Sequence, residues 1–306
     1  GSKHTPFHKG ETAASLAGNS PILAVFLKAA KHLTNRQDRH ERLVKLSRDI
    51  TIESKRIIFL LHTAITIEKT KEEIVNEAKG RIENLLNGPI KAIALEVENA
   101  PAHLHSRAVT AGLQEFVEAR TLCSLMHNKQ IITYPEVRKE FIFTIKSEDG
   151  EERTVATLIP HLDYMLGLAD LSGELMRQAI NGIASGDKEV CLFACEIIRK
   201  LYAGFLGMYS MLKTDILLIK MIKAHQFIKL YNNFYHCHYF TGLFSAGQLI
   251  TSKLNTTRAN VHKVEYALYA FVVRGSEAVP RLNPPRKPKP AGQLSVQDDD
   301  DQGCFN

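Results

Sequence analysis

The strongest constraint on the fold is a run that begins at Ser20-Pro21 and reaches about His62 without a further glycine or proline. Serine is a favoured N-cap and proline fits the first helical position, so this pair predicts a helix start. Apolar residues then recur roughly every three, four or seven positions, as a buried helical stripe requires. They are Leu43, Leu46, Ile50, Ile57 and Leu61. The run therefore predicts one long helix with a single buried face.

Proline usage extends this expectation to most of the chain. Four of the 11 prolines, Pro284, Pro285, Pro288 and Pro290, crowd into one late segment, so the remainder can form long uninterrupted helices. The 306 residues, 44% of them apolar and 24% charged, can bury a sizeable core and match soluble globular proteins in composition. These features favour an all-α fold.

Charge and cysteine content limit the function classes only broadly. The net charge of +6 permits a polyanionic partner such as RNA, although mildly basic proteins are common and charge alone decides little. Five cysteines without C-x-x-C pairs predict reduced thiols. Neither a signal peptide nor a stretch long enough to span a membrane is apparent. We therefore expect a cytoplasmic protein, with a nuclear location left open.

Turn signals divide the rest of the chain into further helices. Gly80 and the Gly88-Pro89 step are weak points of the second helix, and a hairpin or loop is expected within 141–159, around Ser147–Gly150. The predicted helices after the first span approximately Lys69–Glu98, Pro101–Met126, Glu136–Glu140, Pro160–Ser185, Lys188–Phe205 and Thr256–Val273.

The expected domain organisation is one helical domain over 20–275 between disordered segments at 1–19 and 276–306. Residues 206–247 differ from their surroundings, because Met208–Phe240 is rich in Ile, Lys, Tyr and Asn. This segment reads like translated non-coding sequence, a retained intron or a lineage-specific insertion, and should pack poorly. Its His236-Cys237-His238 cluster lacks a second ligand pair, so it does not indicate a metal site.

Two acidic motifs carry the chemistry that the sequence offers. Glu115 and Glu118 lie three residues apart in one predicted helix, and Asp170 and Glu174 lie four apart in another, so each pair shares a helix face. Apolar neighbours surround both pairs, and buried like charges are costly unless cations relieve them. Hard divalent ions such as Mg²⁺ or Mn²⁺ prefer such all-oxygen ligands. The same spacings are also common on solvated helices, so the pattern alone supports a metal site weakly.

Two further features accompany these motifs. Asp163 lies seven residues before Asp170 and so on the same helix face. Gly167 and Gly173 suit a close approach of a neighbouring backbone or a substrate strand, at about 1 kcal/mol each relative to alanine.

Longer segments resemble the translin-associated factor X branch of the translin superfamily. They are Arg39–Arg56, the GLQEFVEA run at 112–119, the DYMLGLADLSGELMR run at 163–177 and Tyr269–Glu277. The resemblance covers most of 20–206 and 250–277 in the right order. It implies a seven-helix all-α bundle that assembles with translin into a hollow hetero-oligomer. The X branch, rather than translin itself, is indicated by the complete carboxylate set.

The resemblance also implies a function, a Mg²⁺-dependent endoribonuclease activity on single-stranded or nicked RNA. In the family, this activity removes passenger-strand fragments during RISC loading and trims tRNA-processing fragments. The catalytic and metal-binding acids carry over to Glu115, Glu118, Asp170 and Glu174, with Asp163 and Arg177 as supporting residues. Candidate RNA contacts, which could equally be a solvated helix face, are Lys45, Arg48, Lys55, Arg56 and Arg177.

Three alternatives stay open at this point. The chain could be a non-catalytic subunit that binds translin or RNA, or an interaction scaffold, and one or two metal ions are equally compatible with the acids. The N-terminus lacks the basic cluster that serves some relatives as a nuclear signal. The apolar helix faces of the chain predict poor solubility without translin.

Overall fold

The structure is a computed structural model, and it describes most of the helical part of the chain. The described residues are 21–63, 70–98, 100, 105–146, 152–226 and 236–274, with side chains omitted at 21, 212–226, 236–246 and 274. The disorder predicted for 1–19 and 276–306 lies outside these residues and stays a prediction.

Helix α1, Pro21–His62, confirms the predicted long helix. Its stripe residues Leu43, Ile50, Ile57 and Leu61 are fully buried or nearly so, because they share the face that packs on the rest of the bundle. The N-terminal part of α1, by contrast, is exposed from residue 22 to residue 38 apart from position 23.

The second predicted helix is one kinked rod. It comprises α2 (Lys71–Leu85), a π-helical turn (Leu86–Ile90) and α3 (Lys91–Val97). Gly88 leaves helical geometry (φ −98°, ψ −107°) immediately before Pro89, which lacks the amide hydrogen that a continuous helix needs. The predicted weak point at Gly88-Pro89 is therefore confirmed, whereas Gly80 lies within the regular helix α2.

Two helices and a hairpin follow. They are α4 (Ser106–Asn128), α5 (Tyr134–Glu140), β1 (Ile142–Lys146) and β2 (Glu152–Ala156). Helix α4 begins at Ser106, later than the predicted Pro101, with His105 as its N-cap, and 101–104 lie outside the described residues. The strands pair antiparallel with Ile142 opposite Ala156, which confirms the predicted hairpin.

The last three helices are α6 (His161–Ser185), α7 (Lys188–Gln226) and α8 (His236–Arg274). Gly186, with φ 78°, ends α6, and the Asp187 carboxylate accepts a hydrogen bond from the Val190 amide at the start of α7. Two predicted boundaries are wrong: α7 does not end near Phe205, and α8 does not begin near Thr256. No proline occurs between Pro160 and Pro280, so nothing in the backbone chemistry stops either helix.

The predicted insertion at 206–247 is thus helical at both ends of its backbone. Met208 and Tyr209 are partly buried against the core. The side chains beyond Met211 and all of 227–235 lie outside the described residues, so poor packing of this segment stays a prediction.

With the kinked rod counted once, the described residues form the seven predicted helices, and the all-α prediction is confirmed. Helix α1 packs on α4, α4 on α6, and α6 on both α7 and α8. Cys123, Cys191 and Cys195 are buried free thiols, as expected. No described helix is long and apolar enough to cross a membrane.

Two glycines permit the close helix packing at the centre of the bundle. A Cβ at Gly112 of α4 would lie 2.7 Å from the Ser47 carbonyl oxygen of α1. A Cβ at Gly167 of α6 would lie 2.5 Å from the Gln114 carbonyl oxygen and 2.8 Å from Val117 Cβ, both on α4. The close approach predicted for Gly167 is therefore confirmed, with the α4 backbone as the neighbour.

We expect Gly167→Ala to lower the free energy of unfolding by about 1–3 kcal/mol, because the new methyl group must push α4 and α6 apart. Gly80→Ala is the matched control: its Cβ would meet nothing within 4 Å, and it should gain about 0.5–1 kcal/mol from helix propensity. Denaturant unfolding of both variants measures the difference. Equal effects of the two substitutions would contradict the role of Gly167.

Candidate metal centre

The four predicted acids come together where α4 crosses α6. Glu115 and Glu118 project from α4, and Asp170 and Glu174 project from α6 on the side of Gly167. The carboxylates of Asp170 and Glu174 act electrostatically on both α4 acids. The helical spacings therefore do place the two pairs on facing surfaces, and these four residues are called the acid cluster below.

Glu118 is the most buried member of the acid cluster, with 7% of its surface exposed. Burial and, to a smaller extent, the negative charges of Asp170, Glu174 and Glu115 raise its pKa to about 8, although the Lys253 ammonium lowers it. A carboxyl group in this state holds its proton at neutral pH unless a cation compensates its charge.

Glu115 is less buried but also poorly compensated. Its Oε1 lies 3.8 Å from Lys55 Nζ, whereas its Oε2 is buried and has no hydrogen-bond partner among the described residues. Burial raises the pKa of Glu115, Lys55 lowers it, and Asp170 and Glu174 raise it. An orphaned carboxylate oxygen among other acids is the environment that a bound cation would relieve.

The two acids of α6 have cationic or histidine partners. The Lys253 ammonium of α8 donates to Asp170 Oδ1. His62 Nε2, at the end of α1, lies 2.5 Å from Glu174 Oε2, and Arg177 lies 3.5 Å from the other Glu174 oxygen. The side chains of His62 and Glu174 are 8% and 13% exposed, so this pair is shielded from water.

These partners determine whether the four acids can bind a metal ion in the observed side-chain arrangement. Among the described residues, no three His, Cys, Asp or Glu side chains are positioned to hold a metal ion. Asp170 and Glu174 are turned onto Lys253 and His62, while Glu115 Oε2 and Glu118 have no such partner. The donor set, four carboxylates, is the one that hard divalent cations prefer. The residues therefore fit a metal chemically, provided that Lys253 and His62 give way.

Asp163 lies outside the acid cluster. It is 4% exposed, and it accepts hydrogen bonds from Gln114 Nε2 at 2.8 Å and Thr110 Oγ1 at 3.3 Å. Both donors belong to α4, so Asp163 joins α6 to α4 one to two turns before the acids. This contact positions the two helices that carry the acid cluster.

The predicted RNA-contacting residues are divided between two environments. Lys55 and Arg177 contact acids of the cluster, and Arg56 pairs with Glu53 at 3.3 Å. Lys45 and Arg48 are exposed on α1. Of the five, only Lys55 and Arg177 are therefore seen to contact the acid cluster.

Sequence reasoning missed His62 and Lys253. Lys253 precedes the predicted start of the last helix at Thr256, so it had no assigned face. His62 was treated only as the end of α1, although it falls seven residues after Lys55 and therefore on the same face.

Comparisons with known proteins agree with this architecture. The sequence profile of the translin family matches residues 38–275. Translin-associated protein X of Rattus norvegicus is 34% identical over 286 residues, which cover 90% of this chain and 85% of the relative. Its counterpart in Mus musculus is 35% identical over 272 residues, covering 85% and 81%.

The fold is also found among solved structures. The crystal structure of apo-NeC3PO matches with a TM-score of 0.52 at 18% sequence identity. The match covers 83% of this chain and 98% of that one. At this identity the similarity establishes the fold alone.

The free energy of unfolding should depend on pH through the protonation of Glu118. Its pKa is near 8 in the folded chain and about 4.5 when unfolded, so the folded state binds more protons between these values and stability falls as pH rises across the interval. Glu118→Gln removes this loss, so its stability relative to wild type should rise by on the order of 3 kcal/mol from pH 5 to pH 8.5 without metal.

Thermal unfolding across this pH range provides the measurement. The exposed, isosteric control Glu83→Gln should leave the pH dependence unchanged, since its side chain is solvated. A difference between Glu118→Gln and wild type that stays constant with pH would contradict the burial of an uncompensated carboxyl at this position.

Proposed function

Because this chain belongs to the translin family, we propose that it is the catalytic subunit of a divalent-metal-dependent endoribonuclease, assembled with a translin-type partner. The substrates proposed are single-stranded or nicked RNA, including passenger-strand fragments in RISC loading and tRNA-processing fragments. We propose a cytoplasmic location, with a nuclear one left open. The relatives' own name, Translin-associated protein X, supports the choice of partner.

One observation carries the catalytic part of the proposal. Four carboxylates converge at the crossing of α4 and α6, and Glu118 is buried there among like charges. A purely structural interface gains nothing from this arrangement, because each buried acid without a cation costs free energy. A site for Mg²⁺ or Mn²⁺ accounts for that cost, since the ion repays it when bound.

In the proposed mechanism, Glu115, Glu118, Asp170 and Glu174 hold the metal. When bound, the ion would lower the pKa of a coordinated water and stabilise negative charge on the scissile phosphate. The burial of Glu118 keeps bulk water from its carboxylate, which would strengthen its hold on a cation. Lys45, Arg48, Lys55, Arg56 and Arg177 are proposed to attract and orient the RNA phosphates.

The second candidate is a non-catalytic subunit that stabilises a translin assembly or captures RNA. The contacts of Lys253 with Asp170 and of His62 with Glu174 favour it, because they leave two acids engaged within the protein itself. In this reading the acid cluster is a self-neutralised helix interface. Metal affinity and RNA cleavage separate the two candidates.

We expect Asp170→Asn and Glu118→Gln to reduce RNA cleavage by the assembled complex in Mg²⁺ by at least about 100-fold, because each removes a charged ligand. Both should also weaken Mn²⁺ binding in calorimetric titration. Glu83→Gln is the control, since it removes an equivalent carboxylate from the exposed surface of α2.

The same cleavage assays and Mn²⁺ titrations also test the non-catalytic alternative. Cleavage that persists unchanged in both acid variants would place the chemistry elsewhere. An assembly that binds RNA but neither cleaves it nor takes up Mn²⁺ would favour the binding subunit.

Lys253 provides a separate prediction for the metal proposal. Its ammonium contacts Asp170 and lowers the pKa of Glu115 and of Glu118. It therefore occupies the position that a bound metal ion would need. Lys253→Met should therefore tighten Mn²⁺ binding by about tenfold, a change of about 1.4 kcal/mol. Lys253→Arg should bind Mn²⁺ about as wild type does.

Lys263 is the matched control, because it is an exposed lysine of the same helix. Lys263→Met removes the same charge away from Asp170 and should leave Mn²⁺ affinity unchanged. Equal affinities for Lys253→Met and wild type would show that the ammonium does not compete with the ion.

A further inference from the structure

An exposed stripe on α1 leads to the acid cluster. It consists of Arg48, Ile52, Lys55 and Phe59, which follow one another at intervals of four, three and four residues and therefore share one helix face. The stripe combines two basic side chains with two large apolar ones. Ile52 is 51% exposed and Phe59 is 70% exposed.

Phe59 lies between the two α1 residues that contact acids. Lys55 Nζ is 3.8 Å from Glu115 Oε1, and His62 Nε2 is 2.5 Å from Glu174 Oε2. Phe59 is four residues after Lys55 and three before His62, or about 6 Å and about 4.5 Å along the helix axis. Phe59 therefore lies on the side of α1 that bears these two contacts, with its ring exposed to solvent.

Packing among the described residues does not account for this exposure. The aromatic contacts formed by the described residues join Phe116 to Phe141 and Tyr134 to His161 and Tyr164, and none includes Phe59. The buried face of α1 is supplied by other positions, such as Ile57, Ile58 and Leu61. A solvated phenylalanine contributes nothing to that face, which leaves its ring free for a ligand.

We propose that Phe59 is a stacking platform for one nucleobase of single-stranded RNA, next to the phosphate that lies at the acid cluster. An aromatic ring among basic side chains is the combination that binds single strands, since bases stack on the ring while cations contact the backbone. Arg48 and Lys55 supply those cations on the same helix face. Bases paired in a duplex are stacked on each other and cannot use the ring, so the platform selects unpaired segments.

The inference rests on the proposed function, because it assumes that RNA reaches the acid cluster. Its test is RNA affinity of the complete assembly in EDTA, using a single strand that carries 2-aminopurine and a check that the strand stays intact. Phe59→Ala should weaken binding by about 10-fold, within the range of about 5- to 150-fold found for loss of one base stack. Phe59→Tyr and Phe59→Trp should retain it and quench the probe.

Phe26 provides the matched control, because it is a phenylalanine of the same helix with 68% exposure and lies far from the acids. Phe26→Ala should bind the strand as wild type does. Replacing the stacked nucleotide by an abasic one should weaken wild-type binding to the level of Phe59→Ala and have no further effect on that variant.

Two results would overturn the inference. Phe59→Ala with unchanged single-strand affinity would show that no base stacks there, and dissociation of the assembly by Phe59→Ala in size-exclusion chromatography would place the ring at a subunit contact. Failure of the platform and failure of the proposed function give different results. Loss of cleavage in Asp170→Asn with normal affinity in Phe59→Ala would reject only the platform, and base stacking without any metal-dependent cleavage would reject only the nuclease.

Discussion

The close approach of α4 and α6 at Gly167 is the contact on which the rest of the site depends. A Cβ at this position would lie 2.5 Å from the Gln114 carbonyl oxygen, so only glycine allows the two helices this separation. Asp163 bridges the same helices through Gln114 and Thr110. This packing brings four carboxylates close together around the buried Glu118, where their mutual repulsion must be compensated.

The protein compensates this repulsion from three other helical positions. Lys55 and His62 of α1 and Lys253 of α8 each contact a different acid, and Glu118 retains its proton through a raised pKa. Helix α8 is held beside α6 by a buried contact in which Asn260 donates to Ser172 at 3.1 Å. This contact fixes the backbone of α8 two turns after Lys253 and so keeps its ammonium within reach of Asp170.

The sequence predicted the elements whose signals are local. The helix start at Pro21, the Gly88-Pro89 kink and the hairpin follow from backbone chemistry. Helical spacing placed each acidic pair on one helix face, whereas the joining of the two pairs depends on how α4 packs on α6. The long continuation of α7 and the early start of α8 were missed, because helix length without a stop signal is decided by tertiary packing. Lys253 was missed for the same reason: its role depends on which helix face meets Asp170, and that is a non-local property.

Contact with the acid cluster distinguishes Lys55 from the other basic side chains on the surface of α1. Surface cations alone would bind any polyanion, and their contribution would disappear with added salt. Lys55 differs, because its contact with Glu115 places it at the acid cluster, where the proposed RNA phosphate would lie. In the proposed platform, Phe59 would add a base-stacking contact that salt does not screen. Screened attraction at a distance and unscreened stacking at the cluster would together let the proposed site hold a flexible strand at one fixed phosphate.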